Sequence, residues 1–172
     1  MMRWAAASLV AAHLVAAQLV MAAVLTQARA ADLAPPRLAA LPFTLVNTSP
    51  ASSTPEELAR LHRLDSQLQR ELTARFTLMD ITPAAGQLAL IDNIRSCNGC
   101  ELDIAHSLGA TQVAYGWVQK VSNLILNVNL VFEDATTGKV LRAGSVDIRG
   151  NTDESWTRGL RYLIAEELFR TD

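Results

Sequence analysis

The chain contains little of what catalytic and nucleic-acid-binding sites are usually built from. Its 172 residues include two cysteines, three histidines and 5% aromatic residues, and 17 acidic residues face 15 basic ones. Without a basic excess, the chain lacks the phosphate-neutralising surface that nucleic acids require. It has no G-x-S-x-G motif, and Thr136-Thr137-Gly138-Lys139 lacks the flanking residues of a phosphate-binding loop. That tetrapeptide instead predicts a hairpin turn.

The first segment, residues 1–30, has the features of a secretory signal peptide. Arg3 precedes the apolar run Trp4–Leu25, and Ala28-Arg29-Ala30 fits an A-x-A cleavage site. This predicts export to the periplasm, with no lipid anchor because no cysteine lies near the site. The alternative is an inner-membrane anchor, since the apolar run approaches the length of a spanning helix. The membrane would then be contacted only through this segment.

The remaining chain predicts an Ala/Pro-rich extended lead-in over residues 31–40 and a single domain over residues 41–172. The domain begins with a strand at Leu41–Asn47. A helix follows from a capping box, Thr54-Pro55-Glu56-Glu57, and a second strand covers Phe76–Ile81. Because a helix connects them, the two strands should be parallel. The apolar stripe of the helix consists of Leu58, Leu61, Leu64, Leu68 and Leu72.

A weak helix at Pro83–Arg95 and a second helix at Glu101–Leu108, capped by Gly109, precede three strands. The strands are Thr111–Ser122, Leu124–Glu133 and Val140–Arg149. Their connections are too short for crossovers, so they should form an antiparallel meander. Gly144 shifts the alternation of the third strand and predicts a bulge there.

The last helix should start at Asn151 or Thr152. Its apolar stripe consists of Trp156, Leu160, Leu163, Ile164 and Leu168. The element order is therefore β-α-β-α-α-β-β-β-α. The predicted fold class is α/β (α+β), with a single mixed sheet of about five strands and helices packed on it.

The meander carries the candidate binding residues. One face of its middle strand is fully apolar, whereas the other is mixed and polar in part. The candidates on the mixed face are Asn127, Asn129, Ser145 and Asp147, together with Trp117. A solvated surface explains the polar residues, and a core anchor explains the tryptophan. The functional alternative is a surface for a protein or peptide partner.

Cys97 and Cys100 are the only cysteines of the chain. In an oxidising compartment they predict a structural disulfide at a helix junction. The alternatives are a catalytic redox pair and a metal site to which Asp103 and His106 contribute. Haem attachment through C-x-x-C-H is excluded because Glu101 follows the motif. His62 is expected to be a surface residue.

The segment from Gly109-Ala110-Thr111 through Tyr115-Gly116-Trp117-Val118, Leu124–Phe132 and Asp134–Val140 resembles a recurring periplasmic pattern. It resembles the N-terminal α/β domain of TolB and the periplasmic domain of CsgG-type lipoproteins. The chain departs from them at Thr111, where aspartate is usual, and at the cysteine pair. It is also similar to a family of small secreted bacterial proteins with no assigned function. The resemblance implies a fold and no activity.

Together these features predict a non-enzymatic periplasmic accessory or adaptor protein. It should bind another periplasmic or envelope protein through its sheet, with no cofactor, no metal and no nucleic acid. The first alternative is a thiol–disulfide redox factor that uses Cys97 and Cys100. The second is a small-ligand or metal-binding module.

Overall fold

The structure, a computed structural model, describes residues 34–170. The predicted signal peptide, residues 1–30, lies outside the described residues, as does the start of the predicted lead-in. Among the residues described, no helix is long and apolar enough to cross a membrane.

The described chain combines strands in one sheet with helices packed on it, which confirms the α/β class. The strands are β1 (Arg37–Ala40), β2 (Thr44–Asn47), β3 (Thr77–Leu78), β4 (Gln112–Lys120), β5 (Ile125–Asp134) and β6 (Val140–Arg149). The α-helices are α1 (Pro55–Leu72), α2 (Ala85–Leu88), α3 (Cys100–Ser107) and α4 (Asp153–Tyr162). Two short 3₁₀ turns lie at Thr82–Ala84 and Ile94–Ser96, and α4 continues as a π-helix over Leu163–Leu168.

The six strands form one mixed sheet with the order β3-β1-β4-β5-β6. β1 and β2 pair in parallel with successive stretches of β4, so they occupy one position in the sheet. The predicted strands on either side of α1 correspond to β2 and β3. They run in the same direction, as predicted, but they do not pair with each other: β2 pairs with β4, and β3 pairs with β1. β4, β5 and β6 form the predicted antiparallel meander.

Two details of the strands differ from the prediction. An additional strand, β1, lies within the predicted lead-in, and its Leu38 and Ala39 are fully buried, while the predicted first strand is observed as β2. The predicted bulge at Gly144 was wrong. Gly144 pairs regularly with Leu130, and the register shift lies near Leu141, opposite Phe132 and Glu133. A glycine is needed at position 144 for another reason, since a Cβ there would lie 2.8 Å from Cδ1 of Leu163, which is in the π-helix.

Helices cover most of one side of the sheet, and we call this side the helix face. α1 and α4 pack there against the inward residues of the meander. These residues include Ala114, Val118, Leu126, Val128, Leu130, Phe132 and Ile148. α3 and its neighbouring loops cover only part of the opposite side, which we call the open face, through a second cluster that includes Ile104, Ala105 and Val113.

The capping box of α1 forms as predicted. Glu57 N donates to Thr54 Oγ1 at 3.3 Å, and Thr54 N donates to Glu57 Oε2 at 3.0 Å. Four leucines of the predicted stripe are buried, and burial of each contributes about 1.5–3 kcal/mol. Leu58 is an exception, since it is 51% exposed. Gln67 is buried although it is polar, and its side-chain nitrogen donates to the carbonyl oxygen of Thr157.

The end of α3 and the start of α4 match the sequence. Gly109 has a φ of 70° and its N–H donates to His106 O, while Ala110 N donates to Ala105 O at 2.9 Å. These two bonds satisfy the last carbonyls of α3 and direct the chain into β4. Thr152 caps α4 by accepting from Ser155 N. The predicted apolar stripe of the last helix is buried.

Candidate functional site

A hydrogen-bonded polar row lies on the open face, where β5 and β6 run side by side. Asn127 Nδ2 donates to Asp147 Oδ1 at 2.9 Å, and Ser145 Oγ donates to Asn127 Oδ1 at 2.9 Å. Asn129 is almost buried, and its side-chain nitrogen lies 3.4 Å from the backbone oxygen of Trp117. These bonds hold the side chains in place, while Ser145 and Asp147 remain exposed to solvent.

Trp117 lies next to this row on β4, directly opposite Asn129. Its indole is partly exposed, and the Arg95 guanidinium carbon lies 4.2 Å from the ring centroid. A cation–π contact at such a site is worth about 0.5–1 kcal/mol. The structure therefore brings the five candidate residues together on one surface. We call this surface, formed by Trp117, Asn127, Asn129, Ser145 and Asp147, the open-face patch.

The open-face patch has a covered end and an exposed end. At the covered end, Tyr115 Oη donates to Glu133 Oε1 at 2.8 Å. Burial, together with this carboxylate, raises the pKa of Tyr115 far above its usual value, so the hydroxyl stays protonated. The exposed end is the β4–β5 hairpin tip, where Val121, Leu124 and Ile125 are 48%, 72% and 46% exposed. A polar row thus runs into an apolar tip.

Cys97 and Cys100 form a disulfide at the start of α3, of which Cys100 is the first residue. Both are partly buried and pack against the second hydrophobic cluster. Glu101 Oε2 lies 3.3 Å from Cys97 Sγ. A carboxylate at this distance would repel a thiolate, and thiolates are the reactive species of redox cysteines. The surroundings of the pair therefore do not favour a catalytic thiol.

Within residues 34–170, the group of three possible metal ligands consists of Cys97, Cys100 and Glu101. The two cysteines would first have to be reduced, because only a thiolate binds a metal well. The predicted contributors Asp103 and His106 are not part of this group. The His106 ring contacts the backbone oxygen of Ala135 instead.

A buried ion pair joins the end of β4 to the start of α1. Lys120 Nζ lies 2.6 Å from Glu57 Oε1, and the two side chains are 2% and 1% exposed. Asn151 donates to the same carboxylate and accepts from Trp156 Nε1 at 3.0 Å. Burial raises the pKa of Glu57, but hydrogen bonds from Lys120, Thr54 and Asn151 outweigh it and hold this pKa below its usual value.

The sequence prediction missed this pair, although strand alternation carried the signal. Lys120 is in phase with Ala114, Gly116 and Val118, so its side chain points to the helix face. Glu57 was predicted only as a helix cap. The pair fixes the start of α1 and α4 on the sheet, on the side away from the open-face patch, so its role is structural.

Asp65 is the described acid with the most strongly raised pKa. It lies on α1, and Oδ1 accepts a hydrogen bond from Phe43 N at 2.7 Å. Burial raises its pKa to about 6, against smaller opposing effects from Phe43 and His62. His62 is exposed, as predicted, with Nδ1 3.8 Å from Asp65 Oδ2. The pair has the geometry of a weak surface contact rather than of a catalytic dyad.

Solved structures with a similar fold are distant in sequence. PelC from Paraburkholderia phytofirmans, described as a dodecamer, aligns with a TM-score of 0.53 at 16% identity, over 81% of this chain and 92% of that one. The LpoB C-terminal domain from Salmonella enterica aligns with a TM-score of 0.50 at 17% identity, over 67% and 84%. Lipoprotein GNA1162 from Neisseria meningitidis gives a TM-score of 0.50 at 17% identity, over 69% and 84%. At these identities the likeness is one of fold.

No curated protein matches the sequence. A TolB structure from Acinetobacter baumannii aligns with a TM-score of only 0.41, so the finer resemblance to TolB stays a prediction. The family model described as "Protein of unknown function (DUF2380)" matches residues 36–168, which include every strand and helix of the described domain. The chain therefore belongs to this family of proteins of unknown function.

Proposed function

We propose that this protein is a non-enzymatic accessory or adaptor protein of the bacterial envelope that binds another envelope protein through the open-face patch. The observation that carries the proposal is the exposed, internally hydrogen-bonded polar row beside Trp117. This row lies on the side of the sheet that α1 and α4 leave uncovered.

The shape and chemistry of the patch favour a protein partner over a small substrate. Small molecules are usually held in concave, mostly apolar pockets, whereas protein interfaces are flatter and use aromatic anchors within a polar surround. The patch offers Trp117 as an anchor, an ordered amide and hydroxyl row, and the apolar hairpin tip. The row's hydrogen bonds are formed in advance, so little side-chain entropy is lost on binding.

The envelope location is part of the proposal and has two supports. The first is the predicted signal peptide, which would export the domain. The second is the fold, which is shared with LpoB, PelC and a meningococcal lipoprotein. The disulfide is consistent with an oxidising compartment. A finer kinship with the TolB and CsgG-type domains belongs to the same proposal.

Co-purification with a matched pair of variants tests the proposal. Ser145→Arg places a bulky charge in the open-face patch, while Ser66→Arg makes the same change on the exposed side of α1. Tagged copies of both variants and of the unchanged chain are expressed in the native host, and co-purifying proteins are quantified. We expect one or more envelope proteins to be lost with Ser145→Arg and kept with Ser66→Arg. Equal capture by both variants would contradict a role for the patch.

The redox alternative predicts a different set of results. If Cys97 and Cys100 cycle, the purified protein reduces insulin disulfides in the presence of a dithiol, and the Cys97→Ser/Cys100→Ser variant does not. We expect no such activity, because Glu101 opposes a thiolate next to it. The same variant should still capture the partner if the disulfide has a structural role.

A further inference from the structure

The last strand of the sheet has a free edge. In the described chain the strand order ends at β6, which spans ten residues and pairs only with β5. A long unpaired edge presents a row of backbone donors and acceptors to solvent, and proteins either protect such an edge or use it for binding. The register shift near Leu141 disrupts only the start of β6, so the stretch from Arg142 to Arg149 pairs regularly with β5.

The register identifies which backbone groups are free. Gly150 N donates to Leu124 O, and hydrogen-bonded pairs recur at every second residue of an antiparallel ladder. Even-numbered residues of β6 therefore bond to β5. The odd-numbered residues point their N–H and C=O groups outward. These residues are Ala143, Ser145, Asp147 and Arg149, and their side chains lie on the open face. Of these groups, Arg149 O already accepts a hydrogen bond from Ser155 Oγ at 3.0 Å. The edge available to a further strand therefore runs from Ala143 to the Arg149 N–H.

A groove runs along this edge between β6 and α4. It has a volume of about 330 Å³, and Val146, Ile148 and Tyr162 supply apolar surface. The helix comes close to the strand because Gly159 has no side chain: a Cβ there would lie 2.5 Å from Ile148 Cγ2. A strand added next to β6 would therefore place every second side chain on the side of this groove, which is bordered by the half-exposed Tyr162.

The charges near the groove indicate which charge a bound segment should carry. Arg158 lines the groove from α4, whereas Arg149 borders it at the strand edge with its side chain on the open face, and Arg149 has no ion-pair partner within residues 34–170. Among the same residues, Arg158 pairs only with the exposed Glu154, at 3.3 Å, and such surface pairs are weak. The one acid among the described lining residues, Asp147, has its side chain on the open face, where it accepts from Asn127. The groove is therefore complementary to a segment that carries a carboxylate.

We propose that the partner contributes an extended segment, with alternating apolar residues and at least one acidic residue, that pairs with β6 as a seventh strand. Its apolar side chains occupy the groove between β6 and α4, and its carboxylate lies near Arg158. This inference rests on the proposed binding function and specifies how the partner binds. Main-chain hydrogen bonds supply affinity in this mode, and the groove supplies specificity.

The test uses a phage-displayed random nonapeptide library, selected on the purified protein. We expect enriched peptides to combine alternating apolar residues with an acidic residue. Bound peptide should slow amide hydrogen exchange at the odd-numbered residues of β6. The even-numbered residues should already be protected in the free protein. This two-residue periodicity is specific to strand addition, because a ligand on the face would not produce it.

Two variant pairs complete the test. Ala143→Pro removes one outward N–H and leaves the bonds to β5 intact, whereas Ala143→Val keeps that N–H. We expect the first change to weaken peptide binding about tenfold and the second to leave it within about twofold. Arg158→Glu should also weaken binding about tenfold, and Arg161→Glu, outside the groove, should not.

Several outcomes would overturn the inference. One is a selection that enriches no peptide, and another is peptide binding that is unchanged by Ala143→Pro although the variant keeps its Tm. A bound peptide that slows amide exchange in β6 without the two-residue period would also contradict strand addition. The same holds if the β6 edge is occupied by a second copy of this chain in a dimer. If an envelope protein is lost with Ser145→Arg but retained with Ala143→Pro, the partner binds the face. The proposed function then stands and strand addition fails.

Discussion

Replacement of Lys120 by methionine should destabilise the protein far more than a lysine substitution on the surface. Methionine is of similar length and apolar, so it can occupy the buried channel of the lysine. The change leaves Glu57, which is 1% exposed, without its cation. Removal of one partner of a buried ion pair typically costs about 3–5 kcal/mol, because the remaining charge is buried without compensation.

The size of this effect should depend on a second substitution and on pH. The Lys120→Met/Glu57→Gln double variant should regain most of the loss, because no buried charge remains unpaired. In the unchanged protein the pKa of Glu57 is lowered, so the pair's contribution is present at neutral pH and is lost as the pH falls through that pKa. The difference between the unchanged protein and Lys120→Met should therefore be largest near pH 7 and shrink towards pH 4.

Urea unfolding, followed by circular dichroism at pH 7 and pH 4.5, measures the free energy of unfolding of the unchanged protein, of Lys120→Met, of the double variant and of a control. Lys139→Met provides the matched control, because Lys139 is the other lysine of the chain and lies in the exposed β5–β6 turn. We expect this control to change the free energy of unfolding by less than about 0.5 kcal/mol. Equal losses for the two lysine variants would refute a buried, compensated pair.

Three further predictions follow from the structure. Burial raises the pKa of Asp65 to about 6, so ionisation of this carboxyl between about pH 4 and 6 destabilises the folded protein. In urea titrations, Asp65→Asn should therefore raise the free energy of unfolding by roughly 1 kcal/mol at pH 7 and leave it unchanged at pH 4. A Cβ at Gly116 would overlap a core phenylalanine ring, so Gly116→Ala should cost about 1–3 kcal/mol, whereas Gly86→Ala meets no atom within 4 Å and should not destabilise. Loss of the disulfide through Cys97→Ser/Cys100→Ser should cost at most about 2 kcal/mol in oxidising buffer, because the loop that it closes is short.

The meander and the capped helix α1 could be predicted because local patterns determine them. Alternation with period two identified the inward residues of β5, and the capping box identified the start of α1 within one residue. The short connections then left an antiparallel arrangement of β4, β5 and β6. In each case the signal lies within a few residues of the element that it describes.

Features that depend on contacts between distant parts of the chain could not be predicted from the sequence. Arg37–Ala40 is rich in alanine and carries no strand pattern, yet it forms a strand because β3 and β4 flank it. The position of the bulge depends on how β5 and β6 pair, which Gly144 alone does not determine. Lys120 is buried because α1 supplies Glu57 from a distant part of the chain. The strand β1, the position of the bulge and the burial of Lys120 therefore all depend on tertiary contacts.

In the candidate site, too, local patterns could be predicted and contacts between distant residues could not. Strand alternation placed Asn127 and Asn129 on one face and Ser145 and Asp147 on the matching face of the next strand. The structure joins the two pairs through hydrogen bonds. The contact of Arg95 with Trp117 could not be predicted, because it depends on how the loop before α3 folds over the sheet. The free edge of β6 becomes visible only once the strand order is known.

Site-specific photo-crosslinking in the native host tests the central claim, that the open-face patch binds an envelope protein. A benzophenone amino acid replaces Ser145 in one copy and Ser66 in another, and the cells are irradiated. We predict a discrete crosslinked product with an envelope protein from position 145 and none from position 66. No product at position 145, or the same products from both positions, would contradict the claim.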